Sequence, residues 1–270
     1  IETDDESGPQ PVERLIDVFT SGSSSGAYLC ETILASLQKS GIDVQWVVGQ
    51  GYDGAGNVRG KCAGLKTRIQ KVNSKAVYVW CFGHRFNLVI EATVSCSRDV
   101  KNALGLLEEL YVFFSGHKRN DAFMEAQKST KYKHQLKRVV CTRWNSKQAA
   151  VETTLTCFGA ILSAIAYLTS EDDMDSATIS GALGISARLR DFRFVLTLHI
   201  LKAIFQVAGP VSRQLQGVVV DLAMAAQLVT NCREQFAFMR DSKHVDDVWQ
   251  SLVQEATNIA ETHAINRVIV

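Results

Sequence analysis

The sequence predicts an α/β region followed by an all-helical region, and three observations carry that reading. Up to about residue 85, short β-branched and aromatic runs alternate with segments of helical spacing. Beyond His84 the apolar positions keep helical spacing only. The whole chain, 270 residues at 46% hydrophobic with 18 Gly and only 3 Pro, has the composition of a packed globular protein rather than a linker or a disordered segment.

In chain order, residues 13–20 (ERLIDVFT) read as a strand and 21–26 as a Gly/Ser loop. Leu29, Ile33, Leu34 and Leu37 set a helix from Ala27, with Gly41 as its C-terminal stop. Residues 44–48 (VQWVV) read as a buried strand running into a glycine-rich loop over 49–57; a short basic helix at 61–71 and a second strong strand at 76–81 (AVYVWC) follow. That β-α-β-α-β order implies a partly parallel sheet. Phe86, Leu88, Val89, Leu104, Leu106, Leu107, Leu110, Val112 and Phe113 then fit one or two long helices, broken near Ser115-Gly116. Further helices are expected at 120–129, 146–170, 176–190, 192–208, 211–240 and 243–262, with the acidic run 171–175 as a solvated loop. The domains are accordingly drawn at 1–115 and 116–270.

No run of about 18 apolar residues occurs, so no membrane span is expected. The acidic, polar first ten residues lack both an initiator Met and a secretory pattern, and the chain reads as an internal stretch of a longer protein. Seven cysteines, at 30, 62, 81, 96, 141, 157 and 232, include no CxxC pair and lie mostly in apolar segments, which suits reduced, buried thiols.

A formal charge of +1 conceals segregation. Arg59, Lys61, Lys66, Arg68, Lys71 and Lys75 follow one another without an acid. A second block holds Lys118, Arg119, Lys128, Lys131, Lys133, Lys137, Arg138, Arg143 and Lys147 against Asp121 and Glu125. Such blocks fit a surface that meets phosphate backbones, or simply a solvated helix face.

Three motifs carry chemistry. Asp53 ends the run VVGQGYD, where a carboxylate among glycines suits either a metal ligand facing a phosphodiester or an ordinary Asp-Gly turn. Cys81-Phe82-Gly83-His84 offers two zinc-type ligands, with Cys62, Cys96 and His117 as near candidates for the rest, or else a buried thiol beside a structural histidine. Thr142-Arg143-Trp144-Asn145 sets a guanidinium beside an indole, suited to stacking on a base or to packing. Walker, GxSxG, HExxH and kinase signatures do not occur, and His199, His244 and His263 read as packing or surface residues.

Taken in order, Gly49-Gln50-Gly51-Tyr52-Asp53-Gly54-Ala55-Gly56-Asn57, Cys81-Phe82-Gly83-His84-Arg85-Phe86-Asn87-Leu88 and Thr142-Arg143-Trp144-Asn145-Ser146 closely resemble hAT-superfamily transposases. They are similar in particular to the DUF4371-type domain of zinc finger MYM-type protein 1-like sequences, over roughly residues 10 to 205. The resemblance implies an RNase H-like core, here partial and with a mixed sheet, followed by a helical insertion. It implies metal-dependent DNA strand transfer by three acids on Mg2+ or Mn2+, with Asp53 matching the second acid. Cys81 and His84 match the CxxH motif that shapes the strand end, and Trp144 matches the insertion tryptophan near flanking DNA. Phe86 stands where Leu is more usual.

Neither the first Asp nor the final Glu has a recognisable match, and a metal site needs converging carboxylates, so this stretch is expected to be inactive and to hold no cofactor. DNA is the expected partner, through Arg59, Lys61, Lys66, Arg68, Lys137, Arg138, Arg143 and Trp144, with nuclear localisation and no membrane. The alternative is a nuclear protein-interaction or dimerisation module.

Overall fold

The computed structural model describes residues 2–4, 8–10, 12–60, 63–130, 133–140, 144–217 and 221–267. They form two compact units, Ile1–Arg85 and Phe86–Val270.

In the first unit β1 (Glu2–Asp4) and β2 (Gly8–Gln10) form a short antiparallel pair. Helix α1 (Gly26–Lys39) starts where the Ser25 side chain accepts a hydrogen bond from the Tyr28 amide. It stops where Gly41, at φ +71°, permits the Ile42 amide to reach Leu37 O (2.9 Å) and the Gly41 amide to reach Gln38 O (3.0 Å). The predicted C-terminal stop at Gly41 is therefore a Schellman turn. Strand β3 (Gly49–Tyr52), helices α2 (Gly56–Arg59) and α3 (Leu65–Val72), and strand β4 (Val77–Trp80) follow. β3 and β4 pair in parallel, Gly49 opposite Val77 and Tyr52 opposite Trp80. Cys30 of α1, Val58 of α2, Leu65 and Ile69 of α3 and Ala76 make the buried core, with Leu29, Ile33, Leu34, Val47, Tyr52 and Tyr78 packed around it.

Two predicted strands are not strands. Residues 12–20 have no regular structure, and Leu15 (84% exposed) and Val18 (79%) face solvent. What positions this stretch is Asp17, whose carboxylate accepts from the Ser36 hydroxyl on α1 (2.7 Å) and from the Val18 amide (2.8 Å). Residues 44–46 form a 3-10 turn, because Asp43 caps the Gln45 amide (2.9 Å) and the buried Asn73 amide donates to Val44 O (2.7 Å) and Val47 O (2.8 Å). Carbonyls held by a side chain leave the sheet ladder, so pairing begins only at Gly49. The parallel sheet thus has two strands, and a full RNase H-like mixed sheet is not present among the described residues.

Helix α4 (Phe82–Val94) begins in the first unit and continues into the second. Among the described residues of the second unit all regular structure is helical: α5 (Arg98–Phe113), α6 (His117–Glu125), α7 (Trp144–Thr156), α8 (Phe158–Ser170), α9 (Ser176–Leu189), α10 (Phe192–Gln214), α11 (Leu222–Arg240) and α12 (Val245–Thr262). α5, which the sequence reading grouped with residues 1–115, packs on α7, α9 and α10. It buries Val100, Ala103, Leu106, Leu107, Leu110 and Phe113, a stripe of helical period. The single helix expected at 146–170 is bent by 71° at Cys157, between α7 and α8. Ser97, Asp175, Asp191 and Asp221 cap α5, α9, α10 and α11.

By length and composition α10 could cross a membrane, which the scan for an 18-residue apolar run did not predict. In the second unit it is the central helix, packed on α5, α7, α9, α11 and α12, with 61% of its apolar window buried.

Candidate nucleic-acid interface and the Asp53 strand end

The parallel pairing of β3 and β4 sets residues 53 and 81 side by side, each one step beyond the last paired register of Tyr52 and Trp80. The carboxyl ends of parallel strands are where open α/β sheets place functional groups. Asp53 is exposed there. Its Oδ1 accepts from the Ala55 amide (3.2 Å), an Asx turn leading into α2, and its backbone carbonyl accepts from the Tyr78 hydroxyl (3.4 Å). Gly54 is demanded by packing: a Cβ would lie 2.5 Å from the Trp80 ring. The Arg85 guanidinium lies over the other part of this cluster, 5.3 Å from the Trp80 ring centroid.

Cys81 closes the ladder, its amide donating to Tyr52 O (3.1 Å), and its carbonyl accepts from the Arg85 amide (3.0 Å) to start α4. His84 lies in the first turn of that helix. The thiol is exposed, so the reading of Cys81 as a buried thiol is corrected. Cys96 is exposed as well, whereas Cys30, Cys157 and Cys232 are buried, and burial pushes their thiols up from the ordinary cysteine range. Among the described residues no three His, Cys, Asp or Glu side chains converge as metal ligands. The described donors therefore do not assemble the divalent-metal centre of the family reaction or a zinc site at Cys81 and His84, and Cys62, a further candidate ligand, lies outside the described residues.

The first basic block is presented by α3 and its flanks. Lys66 lies over the Tyr78 ring (5.0 Å to the centroid), and Arg68 Nε donates to Ala63 O (3.0 Å). Lys71 and Lys75 are exposed, and none of these four has an ion-pair partner among the described residues. Lys61 lies outside the described residues, and Arg59 is described by its backbone alone.

The second block divides by chemistry. Lys147 is almost buried (side chain 7% exposed) and pairs with Glu91 (3.0 Å), so it belongs to the packing of α7 rather than to a phosphate surface. Arg138 pairs with Glu108 (3.2 Å), whose second oxygen accepts from the Val139 amide (2.8 Å). Lys118 pairs with Asp173, Lys128 with Glu125, and Arg119 stacks on Phe113 (4.9 Å). Lys133 and Lys137 are exposed and have no ion-pair partner among the described residues. Arg143 lies outside the described residues; Trp144 is described only as the first residue of α7.

Three residues that sequence reasoning missed position this segment: Glu91, Glu108 and Gln127. The fully buried Gln127 amide donates to His134 O (3.0 Å) and Phe123 O (3.3 Å), while its Oε1 accepts from the His134 amide (2.8 Å). A glutamine four residues after Phe123, in register with the apolar stripe of α6, is the signal that marks it. The three lone histidines are packing groups: His199 pairs with Glu255 (3.0 Å), His244 stacks on Phe238 (4.1 Å) and His263 packs against Phe158 (5.5 Å).

Residues 6–64 match the DUF4371 family, described as the RNase-like domain of ZMYM1/FAM200. The human "52 kDa repressor of the inhibitor of the protein kinase" is 22% identical over 234 residues, 83% of this chain and 30% of that protein. The mouse protein of the same name is 23% identical over 235 residues, with the same coverage. The chain thus spans less than a third of the length of the curated relatives it matches. No solved structure matches it significantly.

Proposed function

We propose that this chain is a DNA-binding, transposase-derived segment that carries no strand-transfer chemistry of its own and works in the nucleus. The observation that carries the reading is the acid-free run of Lys66, Arg68, Lys71 and Lys75 on and beside α3, unpaired with any carboxylate among the described residues. Lys133 and Lys137 add to it in the second unit. Asp53 engaged in an Asx turn, with no convergent second and third donor among the described residues, supports the absence of catalysis. Relatives named as a repressor support a nuclear regulatory setting. Fluorescence anisotropy of a labelled duplex tests the reading. Binding at 50 mM salt that weakens in Lys71→Glu/Lys75→Glu is expected; no binding at that salt, or binding indifferent to the reversal, removes it.

A second reading, a module for protein interaction or self-association, is favoured by the apolar residues α11 and α12 leave in solvent: Leu222 (69% exposed), Phe238 (55%) and Trp249 (48%). A concentration-independent monomer mass in sedimentation equilibrium counts against self-association.

A further inference from the structure

A cleft of about 760 Å³ lies within the second unit between α5, α9 and the start of α10. Pockets of this size suit a ligand of nucleotide dimensions. Its charged lining is Arg98, Lys101, Arg188 and Arg193 against Asp99, Glu109 and Asp191. These charges are not equivalent. Arg188 and Glu109 form an ion pair across the cleft, and Arg193 lies 3.6 Å from Asp191, the residue that caps α10. Arg98 and Lys101, one turn apart on α5, are exposed and have no side-chain hydrogen bond or ion pair among the described residues. Asp99 lies in the same first turn, where a carboxylate is favoured by the helix dipole. The cleft therefore presents two uncommitted cations at one end.

Gly105 is an independent observation. It sits in the interior of α5, where glycine weakens a helix relative to alanine, and it lines the cleft. A Cβ there would meet nothing within 4 Å. No neighbour among the described residues requires a glycine, so the open space above it is available for the close approach of another molecule.

We propose that this cleft binds a phosphate-bearing ligand of nucleotide size, with Arg98 and Lys101 on the phosphate oxygens and Gly105 as the floor that admits it. Arginine and lysine at such a site make charge-assisted hydrogen bonds to phosphate. The phosphate can belong to a free nucleotide or to a nucleotide within a strand, and the two probes separate these sources. The full chain is titrated calorimetrically with ADP and with a single-stranded decathymidylate, as wild type, Arg98→Glu/Lys101→Glu, Gly105→Leu and Lys71→Glu/Lys75→Glu.

Binding of ADP that falls at least about tenfold in Arg98→Glu/Lys101→Glu and in Gly105→Leu, and is unchanged in Lys71→Glu/Lys75→Glu, establishes the site for a free nucleotide. The same dependence for decathymidylate alone assigns the site to a strand. Gly105→Leu guards against misfolding as the cause, since leucine in place of a mid-helix glycine should leave the thermal midpoint equal or higher. Binding of neither probe to wild type, or either cleft variant binding both probes as tightly as wild type, overturns the proposal. It stands or falls separately from the α3 surface, whose failure would appear only in Lys71→Glu/Lys75→Glu.

Discussion

Lys147 is the test of whether the second basic block divides into packing and surface cations. Its side chain is 7% exposed and its ammonium lies 3.0 Å from a Glu91 oxygen, while Glu91 is 40% exposed. Breaking a fully buried pair costs roughly 3–5 kcal/mol, whereas a surface pair is worth roughly 0–1 kcal/mol. Lys147→Met keeps the aliphatic stem and leaves behind a carboxylate that water can reach, so about 1–3 kcal/mol is expected. Glu91→Gln leaves the more buried partner, an ammonium, without its counter-charge, and should cost more, about 2–4 kcal/mol. At about 2–4 °C per kcal/mol for a unit of this size, the midpoints fall by several degrees, with Glu91→Gln the lower of the two. Urea and thermal unfolding measure both, and duplex anisotropy well below the midpoints measures binding, which neither change should alter. Lys147→Met unfolding like wild type while losing DNA affinity, or Glu91→Gln being the milder change, refutes the assignment of Lys147 to packing.

Asn73→Ala removes the amide that holds Val44 O and Val47 O, so urea unfolding should show a loss of about 2–4 kcal/mol, with the first unit responding. Gly41→Ala forces a Cβ into φ +71° and should cost about 1 kcal/mol by the same assay. Burial holds the His199 and His263 imidazoles below the ordinary histidine value, and Lys202 and His199 hold Glu255 below the ordinary glutamate value. All three groups bind protons more readily in the unfolded chain, so stability is present above their unfolded values and is lost as pH falls, from about 6.5 for the histidines and from about 4.5 for Glu255. Chemical denaturation from pH 7 to 4 should show that decline, and His199→Gln should flatten its upper part.

Long helices were legible where they bury a stripe of helical period over ten or more residues, as α5 does with Val100, Leu107 and Leu110. Strand β4 was legible from its own composition, but a strand exists only with a partner. Residues 13–20 have the composition and no partner, and a single carboxylate, Asp17, fastens them to α1 instead. Residues 44–48 were diverted by Asn73, far enough along the chain that no local pattern announces it. The bend at Cys157 leaves no mark in the sequence pattern, since both α7 and α8 remain helical on either side. The break expected between helices at 192–208 and 211–240 lies elsewhere, because α10 continues through Pro210 to Gln214 and α11 begins only at Leu222. Charge segregation was readable as a sum, while the allocation of each cation was not. Lys147 meets Glu91 across 56 residues and Arg138 meets Glu108 across 30, and only the fold makes those pairs.

That allocation changes what a salt titration should return. Counting every Lys and Arg of the two blocks would predict a steep dependence, yet paired cations release no counterions on binding because their charge is already matched. The described cations of the two blocks without a carboxylate partner are Lys66, Arg68, Lys71 and Lys75 in the first unit and Lys133 and Lys137 in the second, leaving aside Arg119, which packs on Phe113 and donates to the Thr178 hydroxyl. With a slope of roughly −0.9 per neutralised phosphate, the first set alone gives about −3.6 and both sets give about −5.4. Between 50 and 200 mM salt, affinity then falls about 150-fold if the first unit binds alone and about 1,800-fold if both engage one duplex. Lys133→Glu/Lys137→Glu distinguishes the cases directly. It should leave a slope of −3.6 untouched and should bring a slope of −5.4 down toward it. A slope shallower than about −2 excludes the α3 surface as a phosphate-binding face, whatever the affinity at low salt.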